Sequence, residues 1–342
     1  MTKPITIALD AMGGDFGPSV IVPAALKALD TYRDLRLVLV GDETSIRAHL
    51  GNRNPEVESR LSVHHATEKV DMDELPSHAL RNKKDSSMRV AINLVKSGDA
   101  GACVSAGNTG ALMAVARFVL KMIPGIDRPA IITALPSMES HTHVLDLGAN
   151  VDVDAQHLLQ FGLMGSVLAT AVDNNPRPRV GLLNIGEEEI KGNEQVKEAA
   201  QLLANSPLNY IGFVEGDDIY KGGADVVVCD GFVGNVMLKS TEGAATMIAH
   251  FLKEGFTSGI YGRIAGLLAL PVLRKIRSKI DPRRYNGASL LGLQGIVIKS
   301  HGAADALAFA NAIKIARLQA QQSVPQHISH QLAELLNKRQ AV

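Results

Sequence analysis

The chain has 342 residues, 46% of them hydrophobic, and 35 lysines and arginines balance 35 aspartates and glutamates. That is enough apolar material for one large or two smaller domains. Net neutrality, no tryptophan and only 4% aromatic residues argue against a nucleic-acid partner, which needs a basic field and stacking platforms.

The first residues, MTKPITIALD, run straight into a strand pattern with no apolar leader or small-residue cleavage site, so a cytoplasmic location is expected. In chain order, short apolar runs predict strands at 5–10, 35–40, 102–105, 130–135, 143–147, 180–185, 210–214, 225–230 and 295–300. Helix-length patterns separate most of them, and their hydrophobicity is continuous rather than alternating. The expected fold class is α/β, a three-layer sandwich with a largely parallel mixed sheet. Between residues 135 and 143 there is no room for a helical crossover, which predicts a local antiparallel pair. Residues 1–322 are expected to form a single catalytic unit, with a seam between subdomains near 125–150. Residues 323–342 read as a polar amphipathic helical tail that decorates it. Cys103 and Cys229 each close an apolar run and read as small buried hydrophobes.

Nearly every strand ends in glycine with Asp, Asn or His: DAMGGD (10–15), GD (41–42), SAGNTG (105–110), DLGANVD (146–152), NIGEEEIKGNE (184–194), DGFVGN (230–235) and SHG (300–302). In an open α/β sheet, ligands bind beyond the carboxyl ends of the strands, so these loops are expected to share one edge as a composite site. SAGNTGA is the most telling. Gly107 and Gly110 uncover backbone N–H groups, and Asn108 and Thr109 add polar side chains, where a helix begins and anions are favoured. The bland alternative is a glycine turn that binds nothing.

No GxGxxG follows a strand, and GxxxxGK[ST], GxSxG and HExxH are absent, which weakens dinucleotide, P-loop, serine-hydrolase and zincin readings alike. His64 and His65 point to opposite faces of a strand-like run. Asp71, Asp73 and Glu74 read as a solvated loop, and Asp152 and Asp154 as helix-capping charges, so no metal site is expected. Lys191, between a buried strand and a helix, either holds a phosphate or oxyanion or pairs with Glu187, Glu188 and Glu189. Asn235 offers an amide near the start of a long helix running toward Phe251, or is its N-cap. His301 is either a loop histidine or a phosphate donor.

As a set, ALDAMGGD, SAGNTGA, GIDRPA, DLGAN, NIGEE with KGNE, DGFVGNV and KSHGAAD resemble, in order and spacing, the PlsX family of phosphate acyltransferases over roughly residues 4–320. The resemblance implies a fold similar to isocitrate and isopropylmalate dehydrogenases and to phosphotransacetylases. It also implies conversion of acyl-acyl carrier protein and inorganic phosphate to acyl phosphate, for phospholipid synthesis, with no cofactor. With the loop placement, it assigns catalysis to Lys191 and Asn235, and substrate binding to Asp10, Gly13, Gly14, Asn108, Thr109, Gly110, Asn150, Asn193 and His301. The alternative is a metal- and NAD-dependent decarboxylating dehydrogenase of the same fold.

Residues 256–284 do not belong to the sheet pattern. Ile260, Ile264, Leu267 and Leu268 recur at helical spacing, in a run too short to span a bilayer, and Arg274, Lys275 and Arg277 follow at once. Apolar surface beside a basic cluster suits an anionic membrane surface, and subunit contact or a dock for acyl carrier protein are its rivals. The family's link to phospholipid synthesis and peripheral membrane attachment puts membrane contact first, with a homodimer expected as well.

Overall fold

Continuous hydrophobicity makes strands that are buried on both faces, and the first strand shows the consequence: Ile7 and Leu9 enter one core while Ala8 enters another. The computed structural model describes residues 4–51 and 54–340. The amino-terminal portion supplies β1 (Ile5–Asp10), α1 (Pro18–Thr31), β2 (Leu35–Gly41), α2 (Glu43–Leu50), α3 (Pro55–Glu58), β3 (Leu61–His65), α4 (Pro76–Asn82), α5 (Ser87–Ser97), β4 (Ala102–Ser105) and α6 (Thr109–Leu120). The middle supplies β5 (Ala130–Pro136), β6 (His141–Leu145), α7 (Ala155–Asp173), β7 (Arg179–Leu183), α8 (Glu194–Ala204), β8 (Asn209–Val214), α9 (Asp218–Lys221) and β9 (Val226–Val228). Two long helices follow, α10 (Gly231–Thr257) and α11 (Gly259–Ile280), then β10 (Ala288–Leu291), β11 (Ile296–Lys299), α12 (Ala306–Gln321) and α13 (Val324–Gln340).

The strands form one eleven-stranded sheet in the order β3-β2-β1-β4-β11-β10-β5-β6-β9-β7-β8. Its pairs are parallel except β11–β10, β10–β5 and β5–β6, so the antiparallel pair expected across 135–143 is present. The sheet is continuous through 125–150. Strand β10 escapes sequence reading because its four residues, ASLL, carry neither a periodic pattern nor a turn signal of their own.

Three antiparallel steps reverse the chain direction between the two flanks. The carboxyl ends of β1, β2, β4 and β11 therefore point one way and those of β6, β7 and β9 the other, which corrects the expectation that all the glycine loops leave one edge. The register compensates. Lys299 pairs with Ala288, Ser289 with Ile132, and Ile132 with Leu145, so the ends of β11 and β6 lie within one rung of each other on either side of β10–β5.

One helical layer packs α1 and α12 on the amino-terminal flank and α7, α8 and α13 on the other flank. The opposite layer carries α5 and α6, with α9 and α10 beyond them. The terminal helix does more than decorate: Val324, Ile328, Leu332 and Leu335 are buried in the core around α7, because its apolar residues recur at three- and four-residue spacing. Helix α10 outruns the expected end at Phe251 and meets α11 at an angle of 116° around Ser258. No single helix among the described residues is long and apolar enough to cross a membrane. Both cysteines are buried, and burial pushes their thiols up, away from reactivity.

Candidate active site

The loops after β1, β4 and β11 form one cluster. Asp10 is buried, and burial raises its carboxyl above the usual range against four opposing hydrogen bonds. Its Oδ1 accepts from Ser87 Oγ and its Oδ2 from Ser105 Oγ, both at 2.6 Å, and Ser105 Oγ in turn accepts from the backbone N–H of Gly107 at 3.0 Å. Asp10 thus acts from beneath: its side chain faces no solvent and fixes the loop above it. Glycine is required here by close approach. A Cβ on Gly13 would lie 2.6 Å from Asp10 Oδ2 and 2.8 Å from the nitrogen of Gly107. One on Gly14, whose φ is +80°, would lie 2.8 Å from the carbonyl oxygen of Gly302, to which Asp15 N–H brings the same two loops together from 2.9 Å.

Asn108 is the N-cap of α6. Its Oδ1 accepts from Ala111 N–H at 3.0 Å, and its Nδ2 donates to the carbonyls of Met72 and Glu74 at 2.8 and 3.0 Å. The side chain is spent on holding the cap and the 72–74 loop. The backbone N–H groups of Thr109 and Gly110, by contrast, have no acceptor among the described residues and stand at the positive end of the helix. Asn108→Ala is expected to lose about 1–2 kcal/mol of stability from the cap, read as a fall in urea midpoint, and to expose the 72–74 loop to protease.

His301 is exposed. Its backbone N–H donates to Asn286 Oδ1 at 3.0 Å and its Nδ1 accepts from Ala303 N–H at 3.2 Å, which leaves Nε2 without a protein partner among the described residues. Sequence reading missed Lys299. It ends β11 level with Ser105, and its ammonium donates to the carbonyls of Ala106, at 3.3 Å, and Ser300. Burial pulls its pKa down to about 8, while Asp10 and Asp15 favour the charged form. The signal was present, since Lys299 is the one charge in the run GIVIKS.

The loops after β6, β7 and β9 form the second cluster. Asp146, raised by burial, accepts from the N–H groups of Ile131, Ala149 and Asn150 and from Asn150 Nδ2. Asn150 Nδ2 also donates to the carbonyl of Pro129 at 2.7 Å, so this buried amide, like Asp10, secures a loop from within. The N-cap of α10 is Asp230, which accepts from Val233 N–H at 2.8 Å. Asn235 is therefore not the cap: it lies exposed in the second turn, over Gly148, where an added Cβ would meet its Cγ at 3.5 Å. Asn193 caps α8 by accepting from Val196 N–H at 2.9 Å. Lys191 is exposed and pairs with Glu188 at 3.1 Å, while Asn184 Nδ2 shapes its loop by donating to the carbonyls of Gly186 and Lys191.

One apolar cluster joins the two groups of loops. Met113, one turn into α6 from Thr109, packs on the same buried residues as Met237 and Leu238, which follow Asn235 in α10. These residues include Ile131, Leu135, Val144 and Leu147, so the starts of α6 and α10 lie on one face of the sheet. The helical hairpin spans the same interval. It begins in the DGFVGN loop, and after α11 Arg283 binds Asp281 and reaches Asp305, the N-cap of α12, at 3.0 Å.

Along the hairpin, Ile260 is 70%, Leu267 69% and Leu268 76% exposed, and Ile264, Arg274 and Lys275 are exposed as well. The side chain of Arg277 lies outside the described residues.

A family model described as a fatty acid synthesis protein matches residues 5–327. The phosphate acyltransferase of Methylococcus capsulatus is 64% identical over 334 residues, 98% of this chain and 98% of its own. That of Nitrosococcus oceani is 62% identical over 338 residues, 99% of each. Among solved structures, a phosphotransacetylase from Streptococcus pyogenes matches with a TM-score of 0.62 at 19% identity, covering 93% of this chain and 94% of that one. A branched-chain phosphotransacylase from Enterococcus faecalis gives 0.58 at 14%, covering 92% and 99%. At such identities the likeness concerns the fold alone.

Proposed function

The chain belongs to the fatty acid synthesis protein family, whose curated members at this identity are phosphate acyltransferases, and from that premise we propose that it makes acyl phosphate from acyl-acyl carrier protein and inorganic phosphate. Membership makes it an acyltransferase and displaces the dehydrogenase alternative. The observation that carries the finer reading is the pair of N–H groups at Thr109 and Gly110, which have no acceptor among the described residues. They head a helix walled by the loops of Gly13, Gly14 and His301, and α6 shares its apolar footing with the helix that bears Asn235.

Phosphate is anionic near neutral pH and a thiol of pKa about 8.5 is a good leaving group, so direct attack needs positioning and charge stabilisation more than a strong base. A phosphate oxygen attacks the thioester carbon, the carbonyl electrons move onto oxygen, and their return expels the carrier thiolate. Thr109, Gly110, Gly13, Gly14 and His301 hold phosphate. Lys191 and Asn235 stabilise the oxyanion, and Asn193 keeps the Lys191 loop at the start of α8. Asp10, Asn108 and Asn150 serve the same site by position. The catalytic unit comprises residues 1–322, and no cofactor enters the scheme. The deciding assay follows free thiol released from acyl-acyl carrier protein: release that rises with phosphate supports the reading, and phosphate-independent release overturns it.

The exposed apolar ridge of residues 256–284 suits a peripheral contact between a cytoplasmic homodimer and the anionic membrane that takes its product onward to phospholipid. Leu267→Glu is expected to cut co-flotation with anionic liposomes by roughly tenfold or more, since it replaces about 2 kcal/mol of apolar burial with a charge. Equal flotation of variant and wild type would remove the membrane from the scheme.

A further inference from the structure

The amino end of β6, remote from the loops described above, gathers side chains that acyl transfer does not use. Strand alternation puts His141 and His143 on one face of β6, their rings edge to face with centroids 5.0 Å apart. That face meets the last residue of α7, Asp173, whose Oδ1 lies 3.0 Å from His141 Nε2 and whose Oδ2 lies 2.7 Å from His143 Nε2. The three candidate ligand atoms all lie within 4.8 Å of one another.

We propose that His141, His143 and Asp173 form a binding site for a divalent transition-metal ion of the zinc class. Zinc bonds of about 2.0–2.1 Å at tetrahedral angles place ligand atoms roughly 3.3 Å apart, so the two histidine–carboxylate contacts, 3.0 and 2.7 Å, open slightly and the set as a whole, within 4.8 Å, closes by at most about 1.5 Å. Two imidazoles with one carboxylate suit zinc and its neighbours rather than magnesium or calcium, which prefer oxygen shells. His141 Nδ1 lies 3.1 Å from Ser140 Oγ, the outer contact that orients a metal-ligating imidazole.

His143 is buried and turns its Nε2 to the carboxylate, which makes that nitrogen, and not Nδ1, its ligand atom. Neighbouring Asp225 adds negative potential, although Arg179 and Asn175 bind it directly. The side chains of His141 and Asp173 are about a quarter exposed, so a fourth position opens to water. Three protein ligands joining a strand to a helix end, at the far end of β6 from Asp146, point to a structural clamp rather than a part of acyl transfer.

The test titrates chelator-stripped protein with Zn²⁺ near pH 7.5 by calorimetry, with Mg²⁺ as the control and thermal midpoints read in parallel. One equivalent of zinc is expected to bind and raise the midpoint, and magnesium to do neither. His141→Asn and Asp173→Asn, both at partly exposed positions that tolerate substitution better than His143, are expected to weaken zinc at least about 30-fold while acyl transfer stays at the wild-type rate. Absence of one-to-one zinc binding, or equal affinity in the two variants and the wild type, overturns the site.

Discussion

Lys191→Ala is expected to lower kcat by about two to three orders of magnitude while leaving the unfolding free energy from urea titration within roughly 0.5 kcal/mol of wild type. The size follows from the proposed role, because removing one donor aimed at a developing oxyanion costs about 3–4 kcal/mol of transition-state stabilisation. The insensitivity of the fold follows from the structure. Lys191 is exposed, its partner Glu188 is an exposed carboxylate, and such pairs contribute little to stability. The loop is shaped by Asn184 through backbone carbonyls, which alanine at 191 retains. The same exposure supports the bland reading of a surface lysine satisfied by a glutamate, and the kinetic experiment separates the two. Near-normal kcat in Lys191→Ala would reduce the pair to surface electrostatics and leave Asn235 as the remaining oxyanion donor.

What sequence could and could not reveal divides along a physical line. Strands buried on both faces announce themselves as continuous apolar runs, which is why β1, β2, β4, β7 and β11 lie where their residues said. Glycines at strand ends announce loops, and a short gap announces a hairpin. Direction across the sheet is not local: the reversal between its flanks depends on β10, four residues that enter from the far side of a helical hairpin. Nor does a polar residue in a motif say which way it faces. Asp10, Asn108 and Asn150 belong to the loops by pattern, but burial of Asp10 and Asn150, and close hydrogen-bond partners for all three, make them supports. The histidine pair on β6 escaped for the same reason, since its third member comes from the end of a helix thirty residues away in sequence.

Lys299 offers the sharpest test of that inward architecture. Its ammonium ties the carbonyl of Ala106, in the phosphate-cradle loop, to that of Ser300, in the His301 loop. Lys299→Met keeps the volume and removes the tie, and the phosphate KM is expected to rise at least about tenfold with a smaller change in the acyl-carrier KM. Titration gives an independent check. The folded-state pKa is about 8 against an ordinary 10.5, so between these values the unfolded chain binds more protons and stability rises with pH. Wild type should therefore gain about 1.6 kcal/mol relative to Lys299→Met between pH 8 and 9.5, from urea midpoints at each pH. This sign is opposite to that of a lysine stabilised by a surface ion pair, which loses stability as pH rises. A flat difference would mean that water reaches the ammonium, and the buried tie between the two loops would then have to come from Asp15 N–H and Gly302 alone.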